Sequence, residues 1–210
     1  MTGLTEVIVV RTGTANLASI EAGLLRVGAR PRLSNDPDEV ASADRVVLPG
    51  VGAFAAAVGE LSDHDLVGVL RDRIEALRPT LAICLGMQLL GEGSEESPGI
   101  PGIGAIPAVA SRFTEQVKVP QLGWNRVEPE SECRYLVPGF AYFANSYRLT
   151  GSPDGWSAAT TDYDGKFVSA LERGPVMACQ FHPELSGTWG LNLLRRWLED
   201  TSSPGVEGGC

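Results

Sequence analysis

The residue with most chemical potential is Cys84, in the run Thr80-Leu-Ala-Ile-Cys-Leu-Gly-Met-Gln-Leu-Leu90. A short apolar strand, Leu81 to Ile83, leads straight into it. Leu85 and Gly86 then open a helical pattern with Met87, Leu89 and Leu90 as its apolar residues. A nucleophile on such a strand-to-helix turn is pushed out of the core. The free N–H groups and positive dipole end of the new helix favour the thiolate, the reactive form. Alone, Cys84 also reads as a small buried hydrophobe, the ordinary fate of a free cysteine.

A thiolate that attacks a carbonyl needs a base, and histidine is the usual one. The chain has two histidines. His64 stands between acids in Ser62-Asp-His-Asp-Leu66 and reads as a solvated helix entrance. His182 ends the apolar run Val176-Met-Ala-Cys-Gln-Phe-His-Pro-Glu184. Pro183 fixes its own backbone torsion and keeps His182 extended. Residues two apart on extended chain share a side, so Glu184 can accept a hydrogen bond from the imidazole and orient it. Cys84, His182 and Glu184 then make a triad of nucleophile, base and orienter. By itself His-Pro-Glu is also the composition of a surface turn.

A third motif could stabilise an oxyanion. Arg45-Val-Val-Leu-Pro-Gly-Val-Gly-Ala-Phe54 is another apolar strand that runs into Pro49-Gly-Val-Gly52. Glycines let backbone N–H groups turn toward a ligand unobstructed. The N–H of Val51 and that of Leu85, just after the nucleophile, are the candidate donors. Pro-Gly is also common in ordinary turns between strand and helix.

The elements that must carry these motifs alternate. Val7–Val10 reads as a buried parallel strand, apolar without alternation. Residues 16–27 follow as a helix with Leu17, Ile20, Leu24 and Val27 on one face and Gly28 as its stop. Arg32-Leu33 is a short strand, and Asn35-Asp-Pro37 caps a brief helix through Val40. Val46–Leu48 is a strand; residues 53–61 and 66–77 are helical; residues 81–83 form the nucleophile strand. This alternation predicts an α/β fold with a doubly wound, mostly parallel sheet and flanking helices. After Gly91 the texture changes. Residues 94–104 read as loop. Short strands follow at 108–113, 117–119, 126–127, 141–147, 156–161, 167–171 and 176–180. Turn clusters at Pro153-Asp-Gly155 and Asp164-Gly165 make some of them antiparallel extensions of the sheet. An amphipathic helix over 188–198 closes the domain, with Trp189, Leu193, Leu194 and Trp197 inward.

The 210 residues suffice for one sizeable domain, placed at 1–200, and the Ser-, Pro- and Gly-rich tail 201–210 has a disordered composition. Hydrophobic residues make up 43% and the mean hydropathy is +0.02, both globular values. A net charge of −9 argues against nucleic acid and anionic membranes as partners. No apolar run reaches transmembrane length, and the N-terminus lacks the pattern of a signal peptide. The four cysteines, 84, 133, 179 and 210, form no C-x-x-C pair and no Cys/His cluster, which argues against structural zinc. A reduced, cytoplasmic chain fits a working thiolate.

Together, Pro49-Gly-Val-Gly52, Cys84-Leu-Gly-Met-Gln88, Ser94-Glu-Glu96, Gly123-Trp-Asn125 and Gln180-Phe-His-Pro-Glu184 resemble the class I (triad) glutamine amidotransferases, from about Val7 to Leu198. Within that family they are most similar to the glutaminase subunits of imidazole glycerol phosphate synthases. The resemblance implies a flavodoxin-like fold and hydrolysis of L-glutamine through a Cys84 thioester, with His182 as proton shuttle and Glu184 as its orienter. It implies that Gly52, Gln88, Glu96, Ser146 and Tyr147 hold glutamine. A carboxylate suits an α-ammonium, and an amide or hydroxyl suits an α-carboxylate. Glu96 also sits in an acidic stretch, Glu92 to Glu96, that reads as solvated loop. The resemblance further implies a heterodimer with a (β/α)8-barrel cyclase subunit. That subunit uses the ammonia to make imidazole glycerol phosphate and aminoimidazole carboxamide ribotide in histidine biosynthesis. No metal or organic cofactor is implied.

The chain departs from the family pattern at Ala82, Arg11, Gln121-Leu122, Asn145 and Leu185. In the family a glycine usually stands at 82, a tyrosine or aspartate at 11, His-Met at 121–122, histidine at 145 and a basic residue at 185. The last three changes lie in segments that, in the family, approach the active site or the partner, and a variant docking surface is expected. Two alternatives stay open: a glutaminase serving another synthase, and a non-catalytic relative kept as a regulatory subunit. The second has only Asn145 and Leu185 in its support.

Overall fold

The computed structural model describes residues 4–13, 16–130 and 133–201. The tail beyond Thr201, with Cys210, lies outside the described residues, as do Thr14 and Ala15 of the loop after Arg11.

Nine strands form one sheet in the order β2-β1-β3-β4-β12-β11-β10-β7-β8. Its first half comprises β1 (Thr5–Val9), β2 (Ala29–Leu33), β3 (Val46–Gly50), β4 (Thr80–Cys84) and β12 (Val176–Cys179). These five pair in parallel. The second half, β11 (Lys166–Arg173), β10 (Ser157–Asp162), β7 (Gln121–Pro129) and β8 (Gly139–Asn145), pairs antiparallel. Three short strands, β5 (Gly93–Ser94), β6 (Val109–Arg112) and β9 (Tyr147–Arg148), form a separate small sheet.

Successive residues of β1 explain its unbroken apolar run. Val7 and Val9 enter one core, Ile8 and Val10 the other. The first core is closed by α1 (Leu17–Arg26) and α6 (Gly187–Glu199), through Ile20, Leu24, Leu193, Leu194 and Trp197. The second is closed by α2 (Pro37–Ser42), α3 (Phe54–Asp63), α4 (Leu66–Glu75) and α5 (Leu85–Leu89), through Val40, Phe54, Leu61, Leu66, Leu70 and Met87. Helices thus cover both faces of the parallel half, as the doubly wound reading predicts. The Asp36 side chain accepts from Glu39 N–H with Pro37 at the first turn, so α2 starts where the sequence places its cap.

The structure corrects several boundaries, and the strand expected at Arg32-Leu33 begins three residues earlier, at Ala29. Residues 117–119 are irregular rather than a strand, and the Val119–Pro120 peptide is cis. The strand expected at 126–127 runs from Gln121 to Pro129. Its early half escaped notice because Leu122 and Trp124 are apolar yet exposed, which hides the alternation, and because Gly123 interrupts it at φ 131°. The strand expected at 141–147 is split, with Ser146 between β8 and β9. His-Pro-Glu is not extended throughout: His182 is, but Pro183–Leu185 is a single 3-10 turn.

Candidate active site

Cys84 is the last residue of β4 and the residue before α5. Its backbone sits at φ 57°, ψ −112°, a torsion pair that costs a non-glycine residue about 1–3 kcal/mol. Pairing on both sides holds it there: Gly50 lies beside Cys84 on β3, and Cys179 lies beside Ile83 on β12. Two glycines allow the turn to seat. A Cβ on Gly86 would lie 2.0 Å from the Leu48 carbonyl oxygen, and one on Gly50 would lie 2.8 Å from the Leu85 Cβ. Leu85, as first residue of α5, has no intrahelical acceptor for its N–H.

His182 follows β12, the neighbour of β4. Its N–H donates to the Tyr142 carbonyl (2.9 Å), which ties the turn to β8. His182 Nδ1 lies 2.8 Å from Glu184 Oε1, and both side chains are buried. The turn brings the two together, because Leu185 N–H closes onto the His182 carbonyl at 3.1 Å. Ser186 fixes that turn further: its hydroxyl donates to the His182 carbonyl (2.6 Å) and accepts from Tyr142 N–H (2.9 Å). Helices α1 and α6 press close behind it. A Cβ on Gly23 would meet the Glu184 Cβ at 2.9 Å, and one on Gly190 would meet the Pro183 carbonyl oxygen at 2.0 Å.

Burial is the largest single influence on the His182 imidazole and pushes its pKa down. Hydrogen bonds to Cys84 and Glu184, with the charges on both, outweigh it and raise the pKa to about 10. These contacts favour the imidazolium form of the ring. A cationic imidazole beside a sulfur is the setting that activates a thiol.

These groups open on a cavity of about 270 Å3. Cys84, Leu85 and His182 form one wall; Val51 and Gly52 form the edge beside β3; Gln88, Glu96, Ser146 and Tyr147 close the remainder with Ala144 and Asn145. Every site residue expected from the sequence lines it except Glu184, which stands behind His182. Larger clefts of about 670 and 710 Å3 lie elsewhere, lined by neither Cys nor His. Glu96 is not a solvated loop acid. Its Oε2 accepts from Phe54 N–H (2.7 Å), at the start of α3, just after Val51-Gly52-Ala53.

Three polar residues escaped sequence reasoning as parts of the site's framework: Gln180, Ser186 and Asn145. Asn145 was expected on a docking surface but is buried, lines the cavity, and donates Nδ2 to the Tyr147 carbonyl (2.9 Å). The same carbonyl accepts from Gln88 Nε2 at 3.3 Å. Gln88 Nε2 also donates to Gln180 Oε1 (2.9 Å), and Gln180 Nε2 lies 3.5 Å from Cys84 Sγ. Leu185, by contrast, is 41% exposed.

The other candidates for chemistry stand apart. His64 ends α3 half-exposed, with Nε2 3.4 Å from Glu60. Cys179 is fully buried and its thiol is held well above the ordinary range by that burial. Burial, then the Glu172 charge, pushes the Cys133 thiol up to about 11. Among the described residues no group of three or more His, Cys, Asp or Glu could hold a metal ion, and no helix is long and apolar enough to cross a membrane.

Known proteins agree with this geometry. The family model for class I glutamine amidotransferases matches residues 14–200. The imidazole glycerol phosphate synthase subunit HisH of Symbiobacterium thermophilum is 40% identical over 92% of this chain and 93% of its own length. The Escherichia coli K12 subunit of that name is 38% identical over 92% of this chain and 99% of its own. Among solved structures, a glutamine amidotransferase superposes with a TM-score of 0.74 at 19% identity, covering 91% of this chain and 97% of that one. A putative GMP synthase subunit from Thermoplasma acidophilum gives 0.68 at 20% identity, covering 94% of each. Those two show the fold; the closer sequences show the branch. With its elbow cysteine, its His-Glu pair and these relatives, the chain belongs to the class I glutamine amidotransferases, in the branch formed by the HisH subunits of imidazole glycerol phosphate synthase.

Proposed function

We propose that this chain, acting as one domain over residues 1–200, hydrolyses the side-chain amide of L-glutamine and passes the ammonia to a synthase partner. The observation that carries the reading is the strained Cys84 at the mouth of a small cavity, with the His182–Glu184 pair beside it. The Cys84 thiolate attacks the amide carbon. The carbonyl oxygen becomes an oxyanion, stabilised by the N–H groups of Leu85 and Val51, each worth about a hundred- to a thousandfold in rate. The His182 imidazolium gives its proton to the amide nitrogen, the C–N bond breaks, and ammonia leaves a thioester. Neutral His182 then takes a proton from water, whose oxygen attacks the thioester. Glutamate forms, and the proton on His182 restores the starting ion pair with the released thiolate. Glu184 holds the ring so that Nε2 does this work.

Glu96 takes the α-ammonium of glutamine, while Ser146 and Tyr147 face its α-carboxylate; Gly52 leaves room along the edge. Gln88 has both amide hydrogens engaged, on Tyr147 and Gln180, so its oxygen is the atom left for the substrate.

The partner is a (β/α)8-barrel cyclase subunit, in a heterodimer that makes imidazole glycerol phosphate and aminoimidazole carboxamide ribotide. An apolar face next to the His182 turn supports this. Leu122, Trp124 and Phe140 are 61%, 58% and 54% exposed, on the outer side of β7 and β8, and Leu185 lies on the adjoining turn. A lone chain rarely leaves such a cluster to water. The reducing cytoplasm is where a free active-site thiolate persists.

The test is glutamate release by the purified chain, alone and with a cyclase subunit. Cys84→Ala is expected to abolish release with little effect on thermal stability, and Cys133→Ala to retain it. Cys84→Ala activity within tenfold of wild type refutes the assignment.

A further inference from the structure

Gln180 is buried to 1% exposure, is not among the residues that line the Cys84 cavity, and sits beside the one reacting sulfur. The sheet puts it there. β12 pairs in parallel with β4, with Cys179 beside Ile83, so the next step places Gln180 alongside Cys84. Its backbone N–H is held by the Ser169 carbonyl at 2.9 Å.

Which end of its amide faces the sulfur follows from the neighbours. The Tyr147 carbonyl can only accept, so Gln88 must present its NH2 to it. The same NH2 meets Gln180 at 2.9 Å, so Gln180 must answer with its oxygen. That leaves the Gln180 NH2 for Cys84 Sγ, 3.5 Å away. One backbone carbonyl thus sets two side-chain amides in turn, and Asn145 steadies that carbonyl with its own Nδ2.

A fixed N–H donor favours a sulfur that carries charge over one that carries a proton. We propose that Gln180 is a further catalytic-site residue: its amide donates to the Cys84 thiolate, holds the sulfur in the elbow, and couples it through Gln88 to the glutamine cavity. The proposal rests on the glutaminase reading. It adds a second anchor for the thiolate besides the imidazolium, approaching from the sheet rather than from the cavity. The titratable groups around the sulfur are His182 and Glu184 on the turn after β12, Cys179 on β12 and Glu96 at the cavity wall.

The test is the pH profile of Cys84 alkylation by iodoacetamide, read on the Cys84 peptide by mass spectrometry, beside glutaminase kinetics. Gln180→Leu removes the donor. Alkylation at neutral pH is expected to fall about tenfold or more and its midpoint to move to higher pH, with a matching fall in kcat. Gln180→Glu keeps the shape but offers an acceptor, and the midpoint is expected to rise at least as far. It carries the test if the leucine variant does not fold. Gln88→Leu frees the Gln180 amide to turn and is expected to give a smaller shift in the same direction. Wild-type activity with an unchanged alkylation profile in folded Gln180 variants overturns the role of Gln180. Absence of Cys84-dependent glutamate release in the wild type, alone and with a cyclase, overturns the glutaminase reading instead.

Discussion

Glu96 bears two loads that can be separated. It lines the Cys84 cavity, where it is proposed to meet the α-ammonium of glutamine, and its Oε2 accepts from Phe54 N–H at 2.7 Å. Ala53, the residue before α3, makes no side-chain cap, so Glu96 supplies from a distant loop what a local cap would. Glu96→Gln keeps an oxygen for Phe54 N–H but loses the charge proposed to pair with the α-ammonium. A hydrogen bond to a charged group is worth about 1.5–3 kcal/mol, so kcat/KM is expected to fall roughly 10- to 150-fold. Unfolding stability is expected to fall by less than about 1 kcal/mol, because the neutral bond survives. Glu96→Ala loses both roles. Its kinetic defect is expected to be at least as large, and the lost cap adds about 0.5–2 kcal/mol of destabilisation.

The assay is glutamate production against glutamine concentration for both variants, beside denaturant unfolding. Binding loss appears mainly in KM if the ammonium contact is present equally in ground and transition states. Because Phe54 follows the oxyanion loop directly, a fall in kcat in Glu96→Ala beyond that of Glu96→Gln reports displacement of that loop. Unchanged kcat/KM in Glu96→Gln refutes the ammonium role. Equal stability of the two variants refutes the capping role.

Further outcomes are expected. Gly86→Ala forces a methyl to within 2.0 Å of the Leu48 carbonyl oxygen, and should cost about 1–3 kcal/mol and most of the activity, whereas Gly59→Ala, with open space around it on α3, should leave activity unchanged; both are read by unfolding and glutamate release. His182 binds its proton more tightly folded than unfolded, so its contribution to stability is full below pH 6.5 and lost as pH rises through about 10. Denaturation series across that window should show a falling stability whose slope shrinks in Cys84→Ala. Leu185→Lys should leave hydrolysis by the lone chain unchanged and alter affinity for a cyclase, while Asn145→Ala should lower kcat/KM; a severalfold change in basal turnover for the first, or none for the second, refutes that division.

What the sequence disclosed and what it hid divide along the sheet. Cys84, Gly50 to Gly52 and His182 lie at the carboxyl ends of adjacent parallel strands, where α/β sheets place their ligands. Each is announced by a contiguous apolar run ending in a polar or glycine-rich turn, so local pattern suffices. Ser186 and Gln180 also lie in that half, but their partners, Tyr142, Gln88 and Cys84, are far away in sequence, and no spacing rule reports them. The antiparallel half is harder still. β7 carries apolar residues outward at Leu122 and Trp124, so period-two alternation fails where its exposed face is apolar. Glu96 reads as solvated loop in the sequence because the N–H that donates to it is 42 positions away in the chain.

Two of the departures from the family pattern, Leu185 and Asn145, grouped together by sequence, are physically different. Leu185 ends the 3-10 turn that follows His182, and its side chain is exposed, as are those of Leu122, Trp124 and Phe140. Exchanging a basic residue for leucine there removes a charge from a surface and adds area that associates by burial. Asn145 is different. It pairs across the β7–β8 ladder with Gln121, another departure, and both are nearly fully buried with a carbonyl oxygen lacking a hydrogen-bond partner. A buried imidazole can titrate; these amides cannot. Asn145 keeps the donor that steadies the Tyr147 carbonyl, and so preserves the chain of amides that ends at the Cys84 sulfur. Asparagine at 145 therefore gives the cavity wall a group that carries no charge without interrupting its hydrogen-bond order, whereas Leu185 stands exposed on the outer face.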